Sequence, residues 1–404
     1  MDPIRNPYAP GAGQRPPELA GRDRELDAFD VVLERVARGR PERSLVLTGL
    51  RGVGKTVLLN TLRSQAVRAG WGTGKLEARP DTELRRPLAG ALHLAIRELA
   101  GRNRDEADEV LGVVKAFALK SGPESSTGAR GAKPRLRDRW HPGIEVPAAT
   151  GRADSGDIEI DLVELLTDVA GLAAGAGKGV AVFIDEMQDL MPDDVSALCA
   201  ACHELGQQGL PLIVVGAGLP HLPAVLSASK SYSERLFRYV RIDRLDREQA
   251  DRALESPAEQ EDACFEARAL EALYEATDGY PYFVQAYGKA VWDSAICSPV
   301  TAADVAVAAP EAEAELAVGF FGSRFDRATP AEREYMRAMA DLGAEAGDGP
   351  VQTAEIAKHL GRKPQSLSPA RDALMKKGLV WSGERGQIAF SVPHFGRYLR
   401  AQPE

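Results

Sequence analysis

The sequence predicts an α/β fold: a three-layer α/β/α arrangement around a parallel sheet, followed by an all-α lid segment and a C-terminal winged-helix domain. Short apolar runs alternate with amphipathic helical stretches up to about residue 244, the pattern of parallel strands joined by helical crossovers. From Asp246 onward the strand pattern stops and helical periodicity continues. A chain of 404 residues is long enough for two or three such domains.

Composition and charge exclude several classes of protein. Hydrophobic residues make up 44% of the chain and charged residues 27%, as in ordinary globular domains. No apolar run approaches the ~20 residues that span a bilayer, so we expect no membrane contact. Four cysteines are too few for a disulfide framework in a chain of this size, which favours a cytoplasmic location. The net charge is −9, so any contact with nucleic acid must be local.

The most specific pattern is Gly49–Thr56, which fits the G-x-x-x-x-G-K-[ST] motif. The apolar run Ser44–Thr48 before it predicts a strand, and helical spacing follows it, which is the context that the motif requires. Glycines allow the backbone N–H groups to surround phosphate oxygens at a helix N-terminus. Lys55 would reach the β- and γ-phosphates of ATP, and the Thr56 hydroxyl would hold Mg²⁺. The predicted phosphate-binding residues are Gly49, Gly52, Val53, Gly54, Lys55, Thr56 and Val57.

A second apolar run, Gly179–Glu186, ends in two carboxylates. Ligands of open α/β sheets bind at the carboxyl ends of the strands, so these acids are expected beside the phosphate loop. Asp185 would hold Mg²⁺, and Glu186 would polarise the attacking water. Alone, the run is equally typical of a strand before an acidic turn, whereas its pairing with the glycine loop favours ATP hydrolysis.

Other segments complete the predicted architecture. Residues 1–17 are rich in Pro and Gly and predict a flexible lead-in, and residues 121–156 predict a flexible insertion. Further strands are predicted at 75–78, 210–215 and 239–242, and helices at 246–256, 266–277, 280–295 and 301–317. At the C-terminus, three helical stretches precede two short strands, 379–381 and 387–390, which together predict a winged helix.

In this order, the motifs resemble those of AAA+-type P-loop ATPases, specifically the branch that contains origin-recognition-like and STAND ATPases. Gly21–Leu26 matches the family's G-R-[ED]-x-E-L opening, which implies that Arg22 lies by the adenine. Gly279–Pro281 resembles the G-x-P signature of the lid, which implies that Pro281 contacts the nucleotide. The resemblance implies a nucleotide-binding domain at 18–244 that encloses the insertion, a helical lid at 245–322 and a winged helix at 323–404.

Two departures from the family pattern predict slow hydrolysis. The strand after the Asp-Glu strand ends in Gly216–Gly218, where the family often places a polar side chain that orients water. Tyr280 and Pro281 replace an arginine that commonly opens the lid helix. With two charge-stabilising groups missing or supplied from elsewhere, a nucleotide-dependent switch is expected rather than a motor.

Arg235 lies in Ser233–Phe237, where the family often places an arginine that is directed at the γ-phosphate of a neighbouring subunit. This interpretation implies a catalytic Arg235 and a homo-oligomer. The alternative is that Arg235 forms a structural pair with Glu234, Asp243 or Asp246.

The partner of the C-terminal domain is left open by the sequence. Residues 349–404 contain nine Lys or Arg and four acids, a local excess of +5. One interpretation is that residues 362–385 contact double-stranded DNA, with Arg362, Lys363 and Arg371 on the recognition helix and Arg385 on the wing. The alternative is a STAND-like signalling or assembly ATPase whose winged helix binds protein.

Overall fold

The computed structural model describes residues 1–101, 104–120, 144–344, 349–382 and 386–402. Within them, the first part comprises α1 (Asp23–Ala37), β1 (Ser44–Thr48), α2 (Lys55–Arg68), β2 (Gly72–Glu77), α3 (Arg85–Leu99), α4 (Arg104–Leu119), α5 (Ile158–Gly175), β3 (Val180–Asp185), α6 (Pro192–Gln208), β4 (Leu212–Gly218), α7 (Leu222–Ser229), α8 (Ser233–Leu236) and β5 (Phe237–Arg241). A helical part follows, with α9 (Arg247–Glu259), α10 (Ala267–Thr277), α11 (Pro281–Ser294) and α12 (Ala302–Leu316). The last part comprises α13 (Ser323–Phe325), α14 (Pro330–Leu342), β6 (Val351–Gln352), α15 (Thr353–His359), α16 (Pro364–Lys376), β7 (Val380–Trp381), β8 (Gln387–Phe390) and α17 (Phe395–Ala401).

The first part folds around a parallel sheet with the strand order β2-β3-β4-β1-β5. Thr48 at the end of β1 is opposite Gly218 on one side and Arg241 on the other. Glu77 at the end of β2 is opposite Asp185 at the end of β3. The carboxyl ends of all five strands therefore meet at one edge, which confirms the predicted parallel sheet and places its ligand-binding edge.

Helices cover both faces of this sheet, because its buried strands are apolar on both sides. On one face, Phe29 of α1 and Leu62 of α2 pack against Phe183 of β3. On the other face, Leu165 of α5 packs with Val182, the preceding residue of β3. Successive side chains of β3 thus enter opposite cores, as the geometry of a strand requires.

The end of the predicted insertion is ordered, so the expectation of flexibility over 121–156 is wrong for residues 144–156; residues 121–143 lie outside the described part of the chain. The Lys115 ammonium of α4 donates hydrogen bonds to the carbonyls of Ile144 (3.1 Å) and Val146 (2.8 Å). Asp161, which is fully buried, accepts hydrogen bonds from the Ser155 N–H (2.8 Å) and the Arg85 guanidinium (2.8 Å). These contacts satisfy polar groups that would otherwise be buried without partners.

The N-terminal segment is also ordered, which corrects the expectation of a flexible lead-in over 1–17. Tyr8 is 4% exposed and lies on the helical part, with its hydroxyl donating to the Leu254 carbonyl at 2.6 Å. Its ring meets that of Trp292 edge to face, with centroids 6.3 Å apart. The Asn6 amide donates to the Asp293 carboxylate at 2.8 Å. Burial of one large aromatic ring holds a segment whose Pro and Gly content predicts disorder.

The helical part and the C-terminal part share one continuous hydrophobic core. A π-helix over Ala317–Gly322 supplies Phe320 and Phe321 to it. Phe321 stacks on Tyr398 of α17, with ring centroids 5.1 Å apart. Among the residues described, none of the helices combines the length and the apolar character that a membrane crossing requires.

In the C-terminal part, α14, α15 and α16 pack beside a three-stranded sheet of order β6-β8-β7. The two predicted strands pair antiparallel, with Val380 opposite Phe390. Sequence reasoning missed β6 and α17, because a two-residue strand and a seven-residue helix have too little periodicity to detect. The winged-helix assignment and the domain boundaries stay predictions.

Replacement of Tyr8 by Ala should lower the free energy of unfolding by about 3–5 kcal/mol, since it removes a buried aromatic ring. Tyr8→Phe should cost about 1 kcal/mol, because the hydroxyl alone is lost. Urea unfolding followed by tryptophan fluorescence measures both. Ile4→Ala is the matched control, since Ile4 lies in the same segment and is 93% exposed. Equal stability of Tyr8→Ala and Ile4→Ala would show that the segment is not anchored.

Candidate functional site

The loop between β1 and α2 has the backbone geometry of a phosphate loop. Gly52 and Gly54 adopt φ angles of 83° and 90°, which other residues rarely do, and Gly54 is the N-cap of α2. Gly49 packs against the residue that follows β5, where an added Cβ would lie 2.2 Å from the Ile242 carbonyl oxygen. The loop is therefore pressed onto the sheet edge, with the N-terminus of α2 directed at the space above it.

A cavity of about 480 Å³ opens above this loop, at the carboxyl edge of the sheet. Most of the predicted site residues line it: Arg22, Gly52, Val53, Gly54, Lys55, Thr56, Val57, Asp185, Glu186 and Pro281. Two of the predicted residues, Gly49 and Arg235, do not. Gly49 is covered by Ile242, so its requirement for glycine comes from close packing rather than from contact with the cavity.

Lys55 lies inside the cavity with its ammonium held by the loop itself. The Nζ atom donates hydrogen bonds to the carbonyls of Gly49 (2.9 Å) and Leu50 (2.7 Å). Burial lowers the pKa of Lys55 to about 8, partly opposed by the negative charge of Glu186. Because burial disfavours the charged ammonium, an anion bound beside it would stabilise the charged form.

The two carboxylates lie at the end of β3. Asp185 is 6% exposed, and its Oδ1 atom accepts from the Glu186 N–H at 3.0 Å. Glu186 has a left-handed backbone (φ 49°), an uncommon conformation for a residue with a side chain. Its Oε1 atom accepts from Arg51 at 2.9 Å and its Oε2 atom from Gln188 at 2.6 Å. Burial alone would raise the pKa of Glu186, but Arg51 and Gln188 together lower it.

Gln188 lies beside the end of β4, where Gly216–Gly218 provide no polar side chain. Its Oε1 atom accepts from the Leu219 N–H at 3.1 Å, directly after β4, and lies 2.7 Å from the position of a Cβ at Gly218. Its amide nitrogen reaches Glu186. The absence of a side chain at Gly218 thus makes room for an amide from the turn after β3. Sequence reasoning missed Gln188, because its proximity to β4 depends on the strand order.

Thr56 and Asp185 both line the cavity and offer a hydroxyl and a carboxylate oxygen. Mg²⁺ prefers oxygen ligands and is commonly held by one or two protein groups together with substrate phosphates. Within the described residues, no group of three or more His, Cys, Asp or Glu side chains is placed to hold a metal by itself. The donor set therefore fits a magnesium ion that arrives with a phosphate ligand. Glu77, which the sequence analysis did not select, also lines the cavity opposite Asp185.

The first helix and the helical part both contact the phosphate loop. Arg22, the N-cap of α1, donates hydrogen bonds to the carbonyls of Val53 (3.2 Å) and Asp243 (2.7 Å), and burial lowers its pKa. Pro281 begins α11, and the following Tyr282 N–H donates to the Gly52 carbonyl at 3.3 Å. Arg22 and Pro281 both line the cavity. Contact of Arg22 with adenine and contact of Pro281 with the nucleotide stay predictions.

Arg51 connects the phosphate loop to the C-terminal part, which sequence reasoning missed because the motif does not specify this position. Its backbone N–H donates to the Ser391 carbonyl at 2.9 Å, and its side-chain Nε atom donates to the Gly378 carbonyl at 3.2 Å. The same guanidinium donates to Glu186. The Arg51 side chain therefore contacts both the carboxylate after β3 and the backbone before β7, while its backbone N–H bonds to the residue after β8.

Arg235 lies at the other edge of the sheet. The strand that follows it begins with Phe237 opposite Ser44, the first residue of β1, whereas the phosphate loop follows the last residue of β1. Among the described residues Arg235 forms no salt bridge, and Asp243 pairs with Arg241 instead. Arg235 therefore lies away from the cavity of its own chain. Its contact with the γ-phosphate bound by a neighbouring subunit stays a prediction.

The sequence was also compared with protein-family profiles. Residues 18–215 match the profile of the AAA ATPase domain, and residues 318–399 match a domain of unknown function (DUF8462). These residues thus include the phosphate loop and the carboxylates of β3. This part of the chain therefore resembles an AAA ATPase domain. No curated protein sequence matches the chain.

Comparison with solved structures agrees on the fold. A Walker-type ATPase of Pyrococcus abyssi superposes with a TM-score of 0.59 at 16% identity, covering 96% of this chain and 97% of that one. An Orc1 protein of Aeropyrum pernix in complex with DNA (TM-score 0.45, 16% identity, 99% and 96% covered) is more distant. The Holliday junction branch migration motor RuvB of Thermotoga maritima is also more distant, with a TM-score of 0.44 at 16% identity, covering 97% of this chain and 100% of that one. These last two support no conclusion about this chain. The predicted P-loop NTPase fold of the α/β part is confirmed.

Proposed function

We propose that the protein is an ATP-binding, slowly ATP-hydrolysing switch whose C-terminal part docks on the phosphate loop. The observation that carries this proposal is the position of Arg51, which bonds to Glu186 and to the C-terminal backbone at once. A nucleotide that enters the cavity must meet this guanidinium, because Arg51 lines the same space as Lys55. Nucleotide binding and domain docking would then compete for, or share, one side chain.

Different residues of the cavity would carry out different steps of ATP hydrolysis. The backbone N–H groups of the loop and the Lys55 ammonium bind the phosphates. Glu186 accepts a proton from water as the water oxygen bonds to the γ-phosphorus. The bridging oxygen then leaves with ADP. Magnesium held by Thr56 and Asp185 would supply charge neutralisation at the phosphate oxygens.

Slow turnover follows from the hydrogen bonds of Glu186. Arg51 and Gln188 each occupy one oxygen of its carboxylate and together lower its pKa. A carboxylate with a lowered pKa is a weaker base, and it must exchange one of these partners for water before it can act. The same arrangement that docks the C-terminal part therefore restrains hydrolysis.

We also propose that residues 323–404 form a winged helix. The support is the order of α14, β6, α15, α16, β7 and β8, with the three strands in one antiparallel sheet. In this arrangement Gly378 and Ser391 flank the pair of strands that approaches Arg51. Docking of this domain on the ATPase domain favours the signalling or assembly interpretation.

Contact with duplex DNA is a second candidate function. It is favoured by Lys358, Lys363 and Lys376, which are exposed and form no salt bridge within the described residues. It is weakened by ion pairs, since Arg362 pairs with Glu334 at 3.0 Å and Arg371 with Asp372 at 3.1 Å. Arg385 at the predicted wing tip lies outside the described residues. Paired arginines would have to give up their partners to bind phosphate.

Lys55→Ala should abolish tight ATP binding, because it removes the charge held against the phosphates. Glu186→Gln should retain ATP binding and lose turnover, since an amide does not take up the proton of water. Calorimetric titration with ATP and phosphate release measure the two effects. Arg68→Ala, an exposed change on α2, is the control for both. Turnover of Glu186→Gln at the wild-type rate would contradict the assignment of the base.

The docking proposal predicts a nucleotide-dependent change around Gly378 and Ser391. Without nucleotide, backbone amides at 378–382 and 386–391 should be protected from hydrogen exchange. Saturating ATP, added to Glu186→Gln so that it persists, should increase exchange there, because the phosphates attract Arg51 away from its carbonyl partners. Arg51→Ala should show the increased exchange without any nucleotide. Identical exchange in all these states would overturn the docking switch.

The DNA candidate predicts salt-dependent binding of a duplex by the full chain. Affinity should fall linearly with salt on logarithmic axes, and Lys363→Ala should reduce the slope by about one unit if Lys363 contacts a phosphate. Lys178→Ala, an exposed lysine of the ATPase domain, should leave the slope unchanged. Absence of salt-dependent binding in fluorescence anisotropy removes this candidate and leaves the docking switch intact.

A further inference from the structure

Arg324 enters the cavity from outside the AAA ATPase domain. It lies in α13, directly after the π-helix that extends α12, in the segment that joins the helical part to the C-terminal part. Its side chain nevertheless lines the cavity together with Arg51, Lys55 and Glu186. A π-helix shifts the residues after it relative to a regular α-helix, and such insertions are frequent at functional sites.

The Arg324 guanidinium is held in place without an acidic partner. One of its nitrogens donates to the Phe320 carbonyl, and its central carbon lies 4.5 Å from the centroid of the Phe320 ring. Within the described residues it forms no salt bridge. Burial, together with the nearby positive charge of Arg51, lowers its pKa to about 10. A partly buried cation without a counter-ion is costly, so the arrangement favours a bound anion.

The other cationic side chains of the cavity already donate hydrogen bonds to carbonyl or carboxylate oxygens. Arg22 donates to the carbonyls of Val53 and Asp243, Lys55 donates to the loop carbonyls, and Arg51 donates to Glu186. Arg324 uses one of its N–H groups on Phe320, and a guanidinium offers five. Its planar array of donors suits two oxygens of one phosphate group.

The ring that holds Arg324 also contacts the phosphate loop. Phe320 stacks on Tyr282 with centroids 4.8 Å apart, and its ring edge lies 3.4 Å from the position of a Cβ on Gly52. Arg324 is close enough to Arg51 and Glu186 to feel both of their charges. It therefore lies near Glu186, which would act on the last phosphate.

We propose that Arg324 binds the terminal phosphate of ATP and so distinguishes ATP from ADP. This inference rests on the proposed function, since it requires that the cavity bind ATP. Arg324 would provide the charge that the Tyr280–Pro281 opening of α11 lacks. Because α13 is the first helix of the C-terminal part, gain or loss of the terminal phosphate would act directly on that part through the Arg324 side chain.

The test is calorimetric titration of the full-length protein with ATPγS and with ADP, both with Mg²⁺. Arg324→Ala should weaken ATPγS binding by about 10- to 150-fold, the range for loss of a hydrogen bond to a charged group. ADP binding should change by less than about 3-fold, because the group that Arg324 contacts is absent from ADP. Arg324→Lys should recover part of the ATPγS affinity, since it keeps the charge but loses the planar donors.

Arg327→Ala is the matched control. Arg327 is exposed three residues further on, and its Nε atom donates to the Ser323 carbonyl. It should bind both nucleotides as the wild type does. Circular dichroism checks the fold of each variant, and Arg324→Lys carries the test if Arg324→Ala does not fold, because it should still lower the ratio of ATPγS to ADP affinity.

Two results are distinguishable. If the wild type binds neither nucleotide, the proposed function fails and this inference fails with it. If the wild type binds both and Arg324→Ala weakens both equally, or neither, the proposed function survives and the role of Arg324 is overturned.

Discussion

The parallel register of the sheet is the constraint on which the rest of the molecule depends. Because Thr48 is opposite Gly218 and Arg241, the loop after β1 must pass between the ends of β4 and β5. Gly49 makes that passage possible, since any side chain there would meet the Ile242 carbonyl. The loop is then fixed, and the groups that reach the cavity from the start of α1, from α11 and from α13 are positioned against it.

The cavity brings together four cationic side chains, Arg22, Arg51, Lys55 and Arg324, that are partly or fully buried. Burial lowers the pKa values of Lys55 to about 8 and of Arg324 to about 10. Each lowered pKa means that folding has placed a cation where its charged form is disfavoured. Of the cationic side chains that line the cavity, Arg51 alone forms a salt bridge within the described part of the chain, and its partner is the proposed catalytic base. A bound polyanion would stabilise the charged forms of Lys55 and Arg324 and would compete with Glu186 for Arg51. Under the proposed function, this competition would couple nucleotide binding to activation.

The parts of the site that are contiguous in sequence were predictable from it. The phosphate loop and the Asp185-Glu186 pair each lie within one short motif, so their local geometry follows from local residue types. Gln188 and Arg324 were not predictable. The strand order places Gln188 beside the end of β4 and against Glu186, and Arg324 reaches the cavity from beyond the π-helix.

Two other sequence expectations rested on local composition: the first is wrong, and the second stays open but is weakened by ion pairs. The Pro- and Gly-rich N-terminus predicted disorder, yet the contacts of Tyr8 lie about 250 residues away. The basic excess of residues 349–404 suggested a free cationic surface. However, Lys377 pairs with Glu332 and Arg397 with Glu313, both outside that range. A count of charges within one segment does not include ion pairs with residues far away in the sequence. In the same way, the composition of the N-terminus does not include its contacts with distant residues.

Docking on the phosphate loop and contact with a separate partner are compatible in this architecture. The C-terminal part approaches Arg51 through the backbone beside its strands, at Gly378 and Ser391. The N-terminal half of α16 faces solvent, with Lys363 exposed at its N-cap. A partner could bind α16 without displacing nucleotide. If that partner prefers the undocked arrangement, linkage requires that it raise the affinity for the nucleotide that promotes undocking by the same factor. One loop residue would then suffice to connect ATP and partner, with no further communicating element between them.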